Sequence, residues 1–319
     1  MRLPKRIEEL IRRKDEFLTA SETALNVRLR KMQGMLLSKI TAEIIPQLDM
    51  SNGRIRSTLK NFRILSSLDK VYNDFQNGQR VAFVEEVGGT LSGINNRTIN
   101  YFQVMMGLET PATFKAVAAS VSKKMGLRLG LDGGSIVSGG FFDTLIKNEA
   151  LLLEVKQMTA QAVTAQIPMK DYIKGLNTII NGDEGKIGGI ERQFNRYAHD
   201  VYHQYASAYS TAMADETGMK YFIYQGGLVK DSRDFCVAHN NKVFKREDAE
   251  KWRTWTPSQG VYPEGYKVKQ KNQDEVPSYL SYPGYDPLTD RGGYNCRHWI
   301  SWLNTSIAER MLKAQKKPQ

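Results

Sequence analysis

This chain of 319 residues is poor in the residues that make staples and metal clusters: it has two cysteines, Cys236 and Cys296, and four histidines. Two cysteines are too few for a disulfide scaffold. They leave room for one bridge, a shared metal ion, or two inert thiols. No stretch reaches the ~18 consecutive apolar residues of a membrane-spanning helix, so no membrane partner is expected. The start, Met1-Arg2-Leu3-Pro4-Lys5-Arg6 followed by Glu8 and Glu9, contains no apolar core segment, which argues against a secretory signal. Phosphate-binding motifs are absent too. The glycines Gly126, Gly130, Gly133, Gly134, Gly139 and Gly140 run into Phe141-Phe142 without the Lys and Ser/Thr of a phosphate loop. Their spacing is not that of a dinucleotide fingerprint. They read as a flexible loop between helical segments.

What is present is ordinary globular composition, with 41% hydrophobic and 25% charged residues, which excludes disorder for the chain as a whole. The formal net charge of +11 favours a polyanion or an acidic surface as neighbour. The charge is dispersed, and no long polybasic block stands out.

Residues 3–48 read as a long amphipathic helix, or two broken near Gly34. Ile7, Ile11, Leu18, Leu25, Met32, Leu36, Ile40 and Ile44 form an apolar stripe that must be buried. Pro46 and Asn52-Gly53 end it. Residues 54–87 and 91–106 look helical again, with an interruption at Asn77-Gly78. Thr110-Pro111 resembles a further helix start. Residues 141–181 look helical with a break near Pro168, and 190–217 form a helix. His199 and His203 share one face of it, but the Glu of a zinc-protease motif is missing, so they read as surface or interface histidines.

Beyond Gly218 the pattern changes. Lys220–Tyr224 and Lys242–Phe244 read as short strands, and Arg246–Trp252 as a helical turn. Residues 253–290 are rich in Pro and Tyr, which suits either an interface or a loop folded over its own domain. The expected fold class is α+β: a mainly helical N-terminal region with long helices, then a compact, mixed, loop-rich C-terminal module with short strands. Boundaries fall at 1–185 for a helical adaptor, 186–304 for the module and 305–319 for a basic tail.

Two stretches in the module carry chemistry. Asp231-Ser232-Arg233-Asp234-Phe235-Cys236-Val237-Ala238-His239 supplies a CxxH pair, and Arg291-Gly292-Gly293-Tyr294-Asn295-Cys296-Arg297-His298 a CxH pair. Tetrahedral zinc takes four such ligands in closely spaced pairs, so Cys236, His239, Cys296 and His298 are the candidate metal ligands, with zinc as the cofactor. A Cys236–Cys296 disulfide and two unreactive thiols are the alternatives. A nucleophilic thiol with a histidine base can also be drawn, as Cys236 with His298 and Asp231 or Cys296 with His239, but no recognised catalytic motif surrounds either cysteine.

These stretches, with the 190–217 helix and Gly218–Tyr224, resemble the phage minor head protein family, the Mu F-like or head morphogenesis proteins. The resemblance rests on Asp231, Arg233, Cys236, Gly292, Gly293, Cys296, Arg297 and His298 and covers residues 190–302. Many members carry Cys-x-x-Cys and Cys-x-Cys; here His239 and His298 stand at the second positions, a replacement compatible with zinc. The resemblance implies a structural virion protein, not an enzyme. Its place would be the portal vertex or capsid interior, in several copies. Its partners would be the portal protein, capsid proteins and packaged double-stranded DNA. A toxin-like or processing enzyme using the Cys/His cluster, or a DNA-binding virion protein, is the alternative.

Overall fold

In a computed structural model, the described residues are 3–107, 115–116, 118–123, 131–132, 135–136, 143, 147–197, 201–293, 296 and 298–315. Thr110-Pro111, most of the glycine-rich stretch, His199, Tyr294, Asn295 and Arg297 lie outside them. The architecture is the expected α+β one: long N-terminal helices, then a mixed, loop-rich module with short antiparallel strands. No described helix is long and apolar enough to cross a membrane.

Helix α1, Lys5–Glu43, is unbroken at Gly34, and every residue of the stripe from Ile7 to Ile44 is buried. A short hairpin follows, β1 (Met50–Ser51) with β2 (Arg54–Ile55), closed by Asn52-Gly53. Helix α2 then runs through Leu59–Met106 without the interruption expected at Asn77-Gly78. The reason lies in its buried positions. Ile64, Leu68, Val71, Phe75, Phe83, Val87, Leu91 and Ile94 keep helical spacing across the glycines. Packing of that face outweighs the ~1 kcal/mol that each interior glycine costs. At the start of α2, Leu59 and Phe62 are exposed, whereas Asn61 is fully buried. Its side chain accepts from Asp49 N and donates to the carbonyls of Asp49 and Arg56.

The described residues divide into two compact units: 1–20 with 90–126 and 200–319, and 21–89 with 127–199. The second is helical, with Glu149–Thr164, Met169–Ile180 and Gly189–Tyr197 beside parts of α1 and α2. Pro168 separates the first two of these helices, as expected. Two small hairpins complete it: β3 (Leu131–Asp132) with β4 (Ser135–Ile136), and β5 (Gly182–Asp183) with β6 (Lys186–Ile187). Polar ties cross the interior of this unit, including Gln33 Oε1 accepting from Glu191 N at 2.7 Å and Tyr72 donating to Asn148 O at 3.0 Å.

The first unit holds the candidate site. Its helix Val201–Thr217 is buried on most sides, so His203 is an interior residue rather than a surface one. Three antiparallel strands follow in the order β8 (Lys242–Lys245), β7 (Tyr221–Gln225), β9 (Trp299–Leu303). The central strand is covered on both faces, with Phe222, Ile223 and Tyr224 buried. Phe222 sits in an aromatic core with Phe244, Trp252 and Trp302. Helix Thr305–Gln315 follows β9 and buries Ile307, Ala308 and Met311. Tyr101 of α2 donates to Trp302 O at 2.7 Å, anchoring the sheet to the long helix within this unit.

The Pro/Tyr-rich segment 253–290 is folded over its own module. Pro257, Leu280 and Tyr285 are buried. The buried Asp234 carboxylate accepts from the Tyr266 hydroxyl and from the backbone of Lys269 and Gln270, pinning the middle of the segment. Lys269, although exposed, donates to the carbonyls of Lys230 and Ser232.

Candidate metal centre

Three elements bring the donors together. Cys236 lies on the short helix Asp234–His239. Cys296 and His298 precede β9, and Tyr224 comes from β7. The donor atoms of Cys236, Cys296 and His298 all lie within 4.8 Å of one another, and all three residues are buried. Cys236 Sγ and Cys296 Sγ are 3.8 Å apart, too far for a disulfide bond. Cys296 Sγ and His298 Nδ1 are 3.7 Å apart.

Those separations are those of a tetrahedral edge. Zinc–sulfur bonds of ~2.3 Å and zinc–nitrogen bonds of ~2.0 Å place sulfur about 3.8 Å from sulfur and about 3.5 Å from nitrogen. His298 presents Nδ1 to the sulfur, and that contact is its only polar one among the described residues, while its Nε2 is buried without a hydrogen-bond partner. The set fits zinc.

His239 is not part of that group. Its Nδ1–H donates to Phe235 O at 2.8 Å, and its ring is stacked between Phe235 and Phe244. Burial, with nearby Lys242, holds it neutral down to about pH 3, although the bond to Phe235 O works the other way.

Around the sulfurs the packing is close. The Tyr224 hydroxyl lies 3.4 Å from Cys236 Sγ and 3.3 Å from Cys296 Sγ, and its ring is stacked on His298. A Cβ at Gly292 would stand 2.7 Å from one sulfur, 3.0 Å from the other and 2.9 Å from the Tyr224 hydroxyl, so this position admits no side chain. Gly293 has a φ of +88°, and a Cβ there would collide with Tyr279 O. The two motif glycines therefore have separate reasons: close approach at Gly292, and a left-handed turn at Gly293.

Two guanidinium groups flank the thiols. Arg291 is fully buried and bonds Ser207 Oγ and Cys296 O. Arg233 donates to Gly292 O at 2.7 Å and lies over the Tyr279 ring. The hydrogen bond shared with Cys296, and burial, push the Cys236 thiol up. Burial opposes ionisation of Cys296 as well, but hydrogen bonds from Cys236 and His298 and the charge of Arg291 hold it well below the usual thiol range.

The cluster corrects one expectation. The resemblance implied a purely architectural chain that is not an enzyme. A buried Cys236/Cys296/His298 set with metal-binding geometry is consistent with catalytic or metal-dependent activity, and an architectural role alone does not account for it.

The sequence reading missed Tyr224 and Arg291 as parts of the site. Tyr224 had a legible signal, since Phe222 and Tyr224 alternate on a strand and so share one face. Burial of Arg291 had none.

No family profile matches this chain, and neither the curated proteins nor the solved structures contain a match.

Proposed function

We propose that the C-terminal module carries a zinc-dependent processing activity, with the ion held by Cys236, Cys296 and His298. The supporting observation is the buried three-donor set, in which Cys296 Sγ stands 3.8 Å from Cys236 Sγ and 3.7 Å from His298 Nδ1 and all donors lie within 4.8 Å of one another. Among the described residues three side chains supply ligands, which leaves one coordination position, the arrangement of catalytic zinc, whereas structural sites are closed by four. Zinc in such a set supplies Lewis acidity toward an oxygen ligand. The chain's own residues do the rest. Tyr224 directs its hydroxyl at both sulfurs, Gly292 leaves room for them, and Arg291 fixes the backbone before β9.

The test is metal content and turnover together. The full chain is purified with and without added zinc, assayed by elemental analysis, and incubated with casein and with single-stranded DNA. One zinc per chain, lost in Cys236→Ser and His298→Ala, with chelator-reversible cleavage of either substrate, is expected. Absence of zinc uptake overturns the reading; uptake without cleavage of either polymer removes its enzymatic half.

A second reading rests on where the same contact falls in the sequence. The two stretches that resemble the head morphogenesis module, around Cys236 and around Cys296, are the two that meet in space. On that reading the chain is a minor head protein at the portal vertex or capsid interior, contacting portal protein, capsid proteins and packaged DNA. The charge of +11 is compatible with a DNA-rich setting. Immunodetection of the chain in purified phage particles tests it, and presence only in the soluble lysate of infected cells counts against it.

A further inference from the structure

We propose that a cleft beside the thiol cluster, lined by His239, Lys242, Phe244, Lys251, Trp252 and Trp255, binds a nucleoside phosphate. It has a volume of about 410 Å³, within the range of small-molecule sites. The proposal does not depend on zinc, because none of the three clustered donors lines this cleft.

Each part of the lining asks for a different part of the ligand. Phe244, Trp252 and Trp255 give an apolar aromatic wall, which suits a flat heterocyclic base. His239 gives an acceptor. It is 7% exposed and lines the cleft; its Nδ1–H is committed to Phe235 O, and its Nε2 has no hydrogen-bond partner among the described residues. A neutral imidazole with that tautomer accepts from an amino or ring N–H group. Lys242 gives a cation. Its ammonium donates only to Val261 O, at 3.1 Å, and has no carboxylate partner among the described residues. Burial holds its pKa below the ordinary lysine value, so an anion beside it relieves a cost already present. Lys251 and Asp248 also line the cleft, ion-paired at 2.7 Å, with Asp248 accepting from Lys245 N at 3.1 Å as well, so this pair adds no net charge and Lys242 is the cation that faces the anion. Base, amino group and phosphate together describe a nucleotide, either free or at the end of a nucleic-acid strand.

Two of the four tryptophans line the cleft, so intrinsic fluorescence reports on it directly. The full chain is titrated with AMP, adenosine, inorganic phosphate and short oligodeoxyadenylates with and without a 5′-phosphate. Saturable quenching by AMP is expected. Adenosine and phosphate should bind more weakly, and Lys242→Gln should weaken AMP by roughly tenfold or more with an unchanged melting curve. Lys242→Met, which keeps the aliphatic stem, serves as the second variant if the first misfolds. Quenching by 5′-phosphorylated oligonucleotide but not by AMP also supports the cleft and assigns its ligand to a strand end. No saturable response to AMP or to either oligonucleotide overturns the proposal. So does equal affinity in wild type and a folded lysine variant.

Discussion

Cys236 Sγ stands 3.8 Å from Cys296 Sγ although 60 residues separate them in the chain. The contact closes the module: one sulfur comes from the helix before β8, the other from the turn before β9. What surrounds the pair is decided by Gly292, Tyr224 and the two arginines.

Gly292→Ala should be poorly tolerated for a reason unrelated to turn geometry. Its Cβ would stand closer than 3.0 Å to Cys236 Sγ and to the Tyr224 hydroxyl. Overpacking of this kind costs roughly 1–3 kcal/mol. Zinc uptake should fall together with the melting temperature. A variant with wild-type stability and wild-type zinc content would contradict the geometry.

Cys296→Ser should loosen residues 219–302 with much less effect on the second unit, because the thiol ties the turn before β9 to the helix that carries Cys236. Limited proteolysis of wild type and variant measures this. The expected result is new cleavage between 219 and 302 with 21–89 unaffected, and identical digestion patterns would refute it.

His239 gives the module an acid sensitivity of defined sign. In the folded state its pKa is driven from the usual 6.5 to about 3, chiefly by burial. Between those values the unfolded chain binds a proton that the folded chain does not. Stability is therefore full above pH 6.5 and falls as the pH drops toward 3. The slope from this residue approaches about 1.4 kcal/mol per pH unit. Urea titrations of wild type and His239→Phe from pH 4 to pH 7 isolate it: the variant should show the shallower dependence, and parallel curves would count against the assignment.

Lys14 acts at the other end of the scale. It is 8% exposed, donates to Ser210 Oγ at 2.9 Å, and burial lowers its pKa from 10.5 to about 7. Below pH 7 the full cost of burying the ammonium is present; from pH 7 to 10.5 that cost is progressively relieved, so stability rises with pH across this window. Lys14→Met should stabilise the first unit by on the order of 2–4 kcal/mol at pH 6, after allowing for the lost bond to Ser210. Its advantage should shrink toward pH 10. Denaturation at the two pH values provides the comparison, and a variant no more stable than wild type at pH 6 would refute the reading.

Elements with a periodic signal could be read from residue order alone. The stripe from Ile7 to Ile44 fixes α1, because only a helix puts those positions on one face. The short aromatic strands and the two thiol-bearing stretches were legible for similarly local reasons. Continuity of α2 through Gly78 was not, since packing of residues far along the chain outweighs the glycine penalty. Membership of the metal centre was decided by tertiary structure. Cys236 and His239 sit in one short helix, yet the aromatic packing of Phe235 and Phe244 draws the His239 ring away, while β7 brings Tyr224 to the sulfurs. Spacing constrains which side chains share a face; the direction each one takes depends on neighbours that only the folded chain supplies.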